Sequence, residues 1–194
     1  MEEHKNSFSS LLFDGVRVIT NVDVEKEIKE QLDNVSKIVY LPRPELQVLL
    51  HHFDWNEQNM LDALKADEKL VLKQAGIYVQ NEDSSVFNQA NPLSALPILK
   101  EGSCLICLQD QIYCWQHDVH KCAHLICENC WFQYLKIEIE EKKNCIRLEC
   151  PKTGCKTLLE EHFVSRIFKT SPQILINYRK ILIDNFVVKS NSIK

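Results

Sequence analysis

Cys104-Leu-Ile-Cys107, Cys122-Ala-His124-Leu-Ile-Cys127-Glu-Asn-Cys130 and Cys150-Pro-Lys-Thr-Gly-Cys155 are the stretches whose reading decides the fold. In Cys104-x2-Cys107 and Cys127-x2-Cys130 the spacing lets two thiolates face one ion while backbone N–H groups donate to the sulfurs. Cys122-x-His124 and Cys150-x4-Cys155 supply four more donors. Zinc takes four N or S ligands in a tetrahedron, so eight donors make two closed, structural sites. The competing reading is a disulfide cluster, which needs export. All nine cysteines of the 194-residue chain fall between Cys104 and Cys155. Met1 to Ser10 is polar and carries no apolar signal core, and no run of about 18 apolar residues is present. The chain is therefore expected in the reducing cytoplasm or nucleus, with no membrane association. There, clustered cysteines more often hold metal than pair with one another.

Three neighbours compete for the ligand roles. Cys114, His117 and His120 lie in the loop before Cys122 and could stand in for Cys122 or His124; the plainer reading makes them loop residues. Cys145 is a spare thiol. A reactive cysteine needs an accessible, electropositive setting, and Lys142 and Lys143 alone do not make one. Nucleic acid is not an expected partner. The net charge is −4, and six Lys or Arg stand against seven Asp or Glu between Cys104 and Cys155. A near-neutral domain has little to offer phosphates.

Working outward, Val16, Val18 and Thr20 alternate as an extended lead. Val24, Ile28, Leu32, Val35 and Val39 recur at helical spacing. Pro44 opens a second helix with Leu46, Leu49, Leu50 and Phe53 on one face. Asp54 and Glu57 read as a capping box for a third, which turns Met60, Leu61 and Leu64 inward. Leu70, Val71 and Ala75 suggest a fourth short turn, stopped by Gly76. Residues 77–102 read as a linker or loosely packed arm. Beyond Cys155, Phe163, Val164, Ile167 and Phe168 form a short apolar helix. Ser171 and Pro172 start a longer one with Leu175, Tyr178, Leu182 and Phe186 on its face.

The cysteine-rich stretches resemble a RING domain, and most closely the first RING of Ariadne-type RING-between-RING (RBR) ubiquitin ligases. Trp131 directly after the sixth ligand and the four-residue gap from Cys150 to Cys155 carry that closer likeness. In a RING the ligand pairs interleave. The resemblance thus implies one zinc ion on Cys104, Cys107, Cys127 and Cys130, and a second on Cys122, His124, Cys150 and Cys155. Val39-Tyr-Leu-Pro42 and Leu49-Leu-His-His-Phe53-Asp-Trp55-Asn56 look like the ubiquitin-associated-like (UBA-like) domain that precedes this RING in Ariadne proteins. The fold expected is thus a set of small α+β domains. A UBA-like helical bundle over 16–76 and the linker 77–102 lead to a cross-braced two-zinc RING over 103–156. C-terminal helices over 157–190 then lead toward an in-between-RING domain.

The resemblance also implies a function. An RBR ligase docks a ubiquitin-charged conjugating enzyme on its first RING and takes the ubiquitin onto a cysteine of its second RING. The quoted residues match the docking half. By family position Ile106 is the central contact, a zinc-fixed apolar anchor, with Leu108 and Pro151 extending the surface. Lys156 follows the last ligand, where ordinary RING proteins place a residue that clamps ubiquitin; the plainer reading is a solvated lysine. Trp131, Tyr134 and Leu135 are expected in the core, and so are Phe53, Trp55 and Leu64. The implied partners are a conjugating enzyme, ubiquitin or a ubiquitin-like modifier, and cullin complexes carrying such a modifier. Two other readings stand beside this one: a direct-transfer RING ligase using Lys156, and a non-enzymatic adaptor that sequesters conjugating enzymes.

Overall fold

Helix α1, Asn21–Val35, starts where Thr20 and Asp23 complete a capping box: each side chain reaches the other's backbone N–H. The computed structural model describes residues 20–78, 85–87, 97–117 and 122–190, together with two short paired strands, β1 (Leu12–Phe13) and β2 (Val16–Arg17). Val18, His120, much of the predicted linker and residues 191–194 lie outside the described residues. Among the described residues no helix is long and apolar enough to cross a membrane.

Helices α2 (Arg43–His52) and α3 (Glu57–Gln74) follow α1. Val24, Leu32, Val35, Leu46, Leu49, Met60 and Leu64 are buried together, as the helical spacing requires. Val39 is also fully buried, but it sits in the turn after α1 rather than on the helix. Trp55 is buried and Phe53 packs against the same core. The capping of α3 differs from the sequence reading. Asp54 and Trp55 both take positive φ, so the chain makes a left-handed turn there. The helix starts two residues later, and Asn56 caps it by accepting the Asn59 N–H at 2.9 Å. Asp54 instead pairs with Lys189 at 3.1 Å. The predicted fourth turn is the continuation of α3 beyond a kink at Asp67, whose carboxylate accepts the Leu70 N–H.

The cysteine-bearing half holds a three-stranded antiparallel sheet in the order β3–β4–β5, from Ile98–Gly102, Ile112–Gln116 and Ile126–Cys127. Residues 98–102 were expected to close the linker. They form β3, because Ile98 to Gly102 finds a complete antiparallel partner in β4. Another part of that stretch is pinned to the helices: Val86 is buried, its carbonyl accepts the Tyr40 N–H, and its own N–H donates to Glu68. Helix α4, Glu128–Lys136, continues into a π-helical turn over Ile137–Glu141. There Glu138 is buried and accepts from Lys142 at 2.6 Å and Asn144 at 2.9 Å. Helix α5, Glu161–Ile167, buries Phe163, Val164 and Ile167 as expected, with Phe168 behind it.

Helix α6, Pro172–Lys189, joins the two cores. Ile174 and Tyr178 pack into the cysteine-bearing core, while Ile183 and Phe186 pack into the core of α1–α3. Phe186 meets Trp55 edge-on with ring centroids 4.9 Å apart. This corrects the expected face. Leu175 and Leu182 are only partly buried, because the helix serves two cores from two angles.

Arg147 makes a second bridge between the halves. Its guanidinium donates to the carbonyls of Ala75 and Gly76 at the end of α3, and to Glu149 at 3.0 Å. Gly76 is required here twice over: its φ is +66°, and an added Cβ would lie 3.3 Å from the guanidinium. Arg147→Ala strands two helix-terminal carbonyls. It is expected to cost about 1–3 kcal/mol, read as a lower midpoint in denaturant unfolding.

Candidate metal centre

The turn after β3 builds the first half of one cluster. Cys104 N–H donates to the Gln109 carbonyl, and Leu108 N–H returns to the Cys104 carbonyl, both at 2.9 Å. The Cys104 sulfur accepts N–H groups from Ile106 at 3.4 Å and Cys127 at 3.3 Å. Cys127 ends β5 and stands at the N-cap of α4, so Cys130 lies one turn further on the same side. Cys107 and Cys127 bring their sulfurs to 3.9 Å. Burial pushes the Cys104 thiol up, but the N–H groups of Cys127, Cys107 and Ile106 outweigh it and draw its pKa down to about 6.

The second cluster uses the segment before β5 and a small hairpin further along. Glu149 bridges Leu158, and Cys150 N–H donates to the Thr157 carbonyl at 2.9 Å, closing the hairpin that holds Cys150 and Cys155. Gly154 takes φ +83° in its tip, a left-handed conformation that suits glycine. Cys122 lies 3.6 Å from Cys150 and 3.9 Å from Cys155, sulfur to sulfur. His124 presents Nδ1 at 3.1 Å from Cys122 and 3.7 Å from Cys150.

Two groups of four therefore come together: Cys104, Cys107, Cys127, Cys130, and Cys122, His124, Cys150, Cys155, with all donor atoms of a group within 4.8 Å of one another. Each could hold a metal ion. The separations fit a tetrahedral ion: sulfurs each ~2.3 Å from it would lie ~3.8 Å apart. The groups are interleaved along the chain, the first taking one pair before and one after Cys122 and His124. Such a closed set holds an ion for structure and leaves no open position for a substrate.

The remaining cysteines belong to neither group. Cys114 is fully buried on β4, opposite Cys127. Burial and the nearby thiolates of Cys104, Cys127 and Cys107 push its pKa up to about 11. Burial pushes Cys145 up to about 12, against a smaller opposing pull from Lys143. Both thiols keep their protons at neutral pH, so neither is an activated nucleophile.

Ile106 and Leu108, named from sequence, are exposed, at 48% and 77%, with Leu105 at 42% beside them. Leu108 holds φ +60° at the end of the turn. Pro151 is half-buried. Lys156 is exposed and pairs with Glu149 at 3.3 Å, the carboxylate that also binds Arg147. Trp131 and Leu135 are fully buried and Tyr134 packs beside them, its hydroxyl donating to the Glu149 carbonyl. His117, read as a loop residue, does lie in the bend after β4, but its ring is buried against Trp131 and Phe163. A period of two from Trp115 to His117 is the available signal, since both rings reach Phe163.

No family model matches the chain. Individual proteins do. The chain is 23% identical over 179 residues to the probable E3 ubiquitin-protein ligase ARI9 of Arabidopsis thaliana, covering 91% of this chain and 32% of that protein. It is 23% identical to E3 ubiquitin-protein ligase ariadne-1 of Drosophila melanogaster, over 88% of this chain and 33% of the relative. Against the probable E3 ubiquitin-protein ligase rbrA of Dictyostelium discoideum the identity is 26%, over 91% of this chain and 32% of the relative. The likeness read from the cysteine spacing thus extends over about nine-tenths of the chain, and it is a likeness to Ariadne-type RBR ligases. The chain spans about a third of the length of the curated relatives it matches.

Proposed function

We propose that this chain is the part of an Ariadne-type RBR ubiquitin ligase that docks a ubiquitin-charged conjugating enzyme, built on two zinc ions. The observation that carries the reading is the apolar tip Leu105–Ile106–Leu108, exposed on the turn that also holds two donors of the first metal group. Exposed apolar side chains held on a loop can serve as anchors that a partner's pocket buries. Zinc is the ion of choice because the donors are seven thiols and one imidazole in closed foursomes. Zinc bound there would hold the turn and the hairpin in fixed relation, so that Ile106, Leu108 and Pro151 form one surface. Helices α1–α3 are the UBA-like part, offered to ubiquitin or a ubiquitin-like modifier such as the one carried by cullins.

The same reading gives this chain no thioester step of its own. Its nine cysteines comprise seven metal donors plus Cys114 and Cys145, both buried and held protonated. A catalytic cysteine would have to be supplied from elsewhere. The direct-transfer alternative rests on Lys156, which would have to leave Glu149 to reach ubiquitin.

The experiment is titration of the zinc-loaded chain with a ubiquitin-charged conjugating enzyme by calorimetry. Ile106→Ala is expected to weaken binding by about 2 kcal/mol or more, with zinc content and helicity unchanged. No reductant-sensitive ubiquitin adduct on the chain should form in the mixture. Unchanged affinity would remove the docking surface from this turn. An adduct lost on Cys114→Ser or Cys145→Ser would make the chain a catalytic unit instead.

A further inference from the structure

A crevice of about 490 Å³ opens where α2, α6 and the segment after the π-helical turn meet. Five basic side chains line it: His51 and His52 from the last turn of α2, Lys189 from the end of α6, and Lys143 and Arg147 from the segment between. Among the described residues no Asp or Glu lines it. None of its lining residues is a metal donor or part of the Leu105–Leu108 turn. Two of the five charges are answered by carboxylates outside the lining. Lys189 pairs with Asp54 at 3.1 Å, and Arg147 with Glu149 at 3.0 Å. Lys143 is exposed and has no hydrogen bond or ion pair among the described residues. Carbonyls at the ends of α2 and α3, which would repel an anion, are covered. Lys189 donates to the His51 carbonyl, and Arg147 to those of Ala75 and Gly76. Burial and the Lys189 ammonium hold the half-buried His51 imidazole below its ordinary value, with His52 adding to them and Asp54 opposing.

We propose that this crevice binds a phosphate group, with Lys143 as the cation that meets it and His51 and His52 as its imidazolium donors. A cleft lined by one sign of charge concentrates its field on what enters. Phosphate on a side chain carries about −1.5 to −2 charge at neutral pH and presents acceptor oxygens. Lys143 supplies one positive charge. A histidine supplies the second, because an anion beside an imidazole favours its protonated form. A single carboxylate would be matched by Lys143 alone. The crevice is larger than the bare anion and has room for a phosphate with the group that carries it. Its walls come from both halves of the chain, so a bound phosphate would tie the α1–α3 bundle to the cysteine-bearing half beside the Arg147 bridge.

The test titrates the zinc-loaded full chain with inorganic phosphate and, separately, with O-phosphoserine. Ionic strength is held constant with chloride, and the His51 and His52 imidazole signals are followed by NMR. Both signals should move to saturation with either probe. Lys143→Gln and His51→Gln are each expected to weaken binding about tenfold or more, the usual scale for a hydrogen bond to a charged group. Lys65→Gln, exposed on α3 and outside the crevice, should leave it unchanged. Phosphoserine bound more tightly than inorganic phosphate would identify the occupant as a phosphorylated side chain, and the reverse order as free phosphate. Signals that stay in place, or that move as far with chloride alone, would overturn the proposal. Wild-type affinity in Lys143→Gln would overturn it too. So would equal weakening by Lys65→Gln, which would reduce the effect to attraction by overall charge.

Discussion

Trp131→Ala is expected to destabilise the cysteine-bearing half by about 3–5 kcal/mol. The side chain is fully buried, with ring centroids 4.9 Å from Phe163, 5.6 Å from His117 and 6.3 Å from Tyr134. Its indole N–H donates to the Trp115 carbonyl at 3.4 Å. The indole therefore ties α4 to β4 and to α5 at once, and truncation leaves both a cavity and a buried carbonyl without its donor. Trp131→Phe keeps much of the volume and should lose clearly less. Denaturant unfolding followed by near-ultraviolet circular dichroism reads both variants. A loss under about 1 kcal/mol for the alanine variant, far below the usual cost of such a truncation, would mean that the aromatic cluster is not the core of this half.

Withdrawing the metal should have a larger effect still. The cysteine-bearing half has only a three-strand sheet with short β5, two short helices and one end of α6 around its core. In so small a unit the free energy of metal binding is folding free energy. A strong chelator at neutral pH is expected to abolish the near-ultraviolet signal from Trp115 and Trp131. The helical signal of α1–α3 should persist longer, because Leu46, Leu49, Met60 and Leu64 are buried without any metal donor among them. Acid should act in the same direction. A bound ion needs the thiolates free of protons, so protons compete with it for the donors and acid releases it. A near-ultraviolet signal indifferent to chelator would contradict the structural role of the metal.

The two Cys-x2-Cys pairs were legible in the sequence because local rules fix them, whereas the grouping of all eight donors came from the family resemblance. Two residues between Cys104 and Cys107 make one tight turn, and Cys127 to Cys130 is the entry of a helix. The buried stripes of α1 to α3 were legible for the same reason, since helical spacing sorts apolar residues within a few turns. What sequence did not reveal are contacts set by long-range packing. Nothing in Leu175 and Leu182 says that Ile174 and Ile183 are better buried; that follows from α6 touching two cores. Arg147 reaches Ala75 and Gly76 across more than seventy residues, and no local pattern announces it. Asp54 was read as a cap from its neighbours, but a left-handed turn and Lys189 claim it. Residues 98–102 looked like a connection because their strand is exposed and lacks an apolar face; only the pairing with β4 defines it.

The two-zinc reading is tested most directly by the metal content of the chain. Elemental analysis of purified soluble protein, with native mass spectrometry on the same sample, should give two zinc ions per chain. Cys150→Ser should lose one of them and keep the ion of the other foursome, because the two groups share no donor. One ion, no ion, or a mass short by hydrogens that reveals disulfides in the fresh reduced protein, would contradict it.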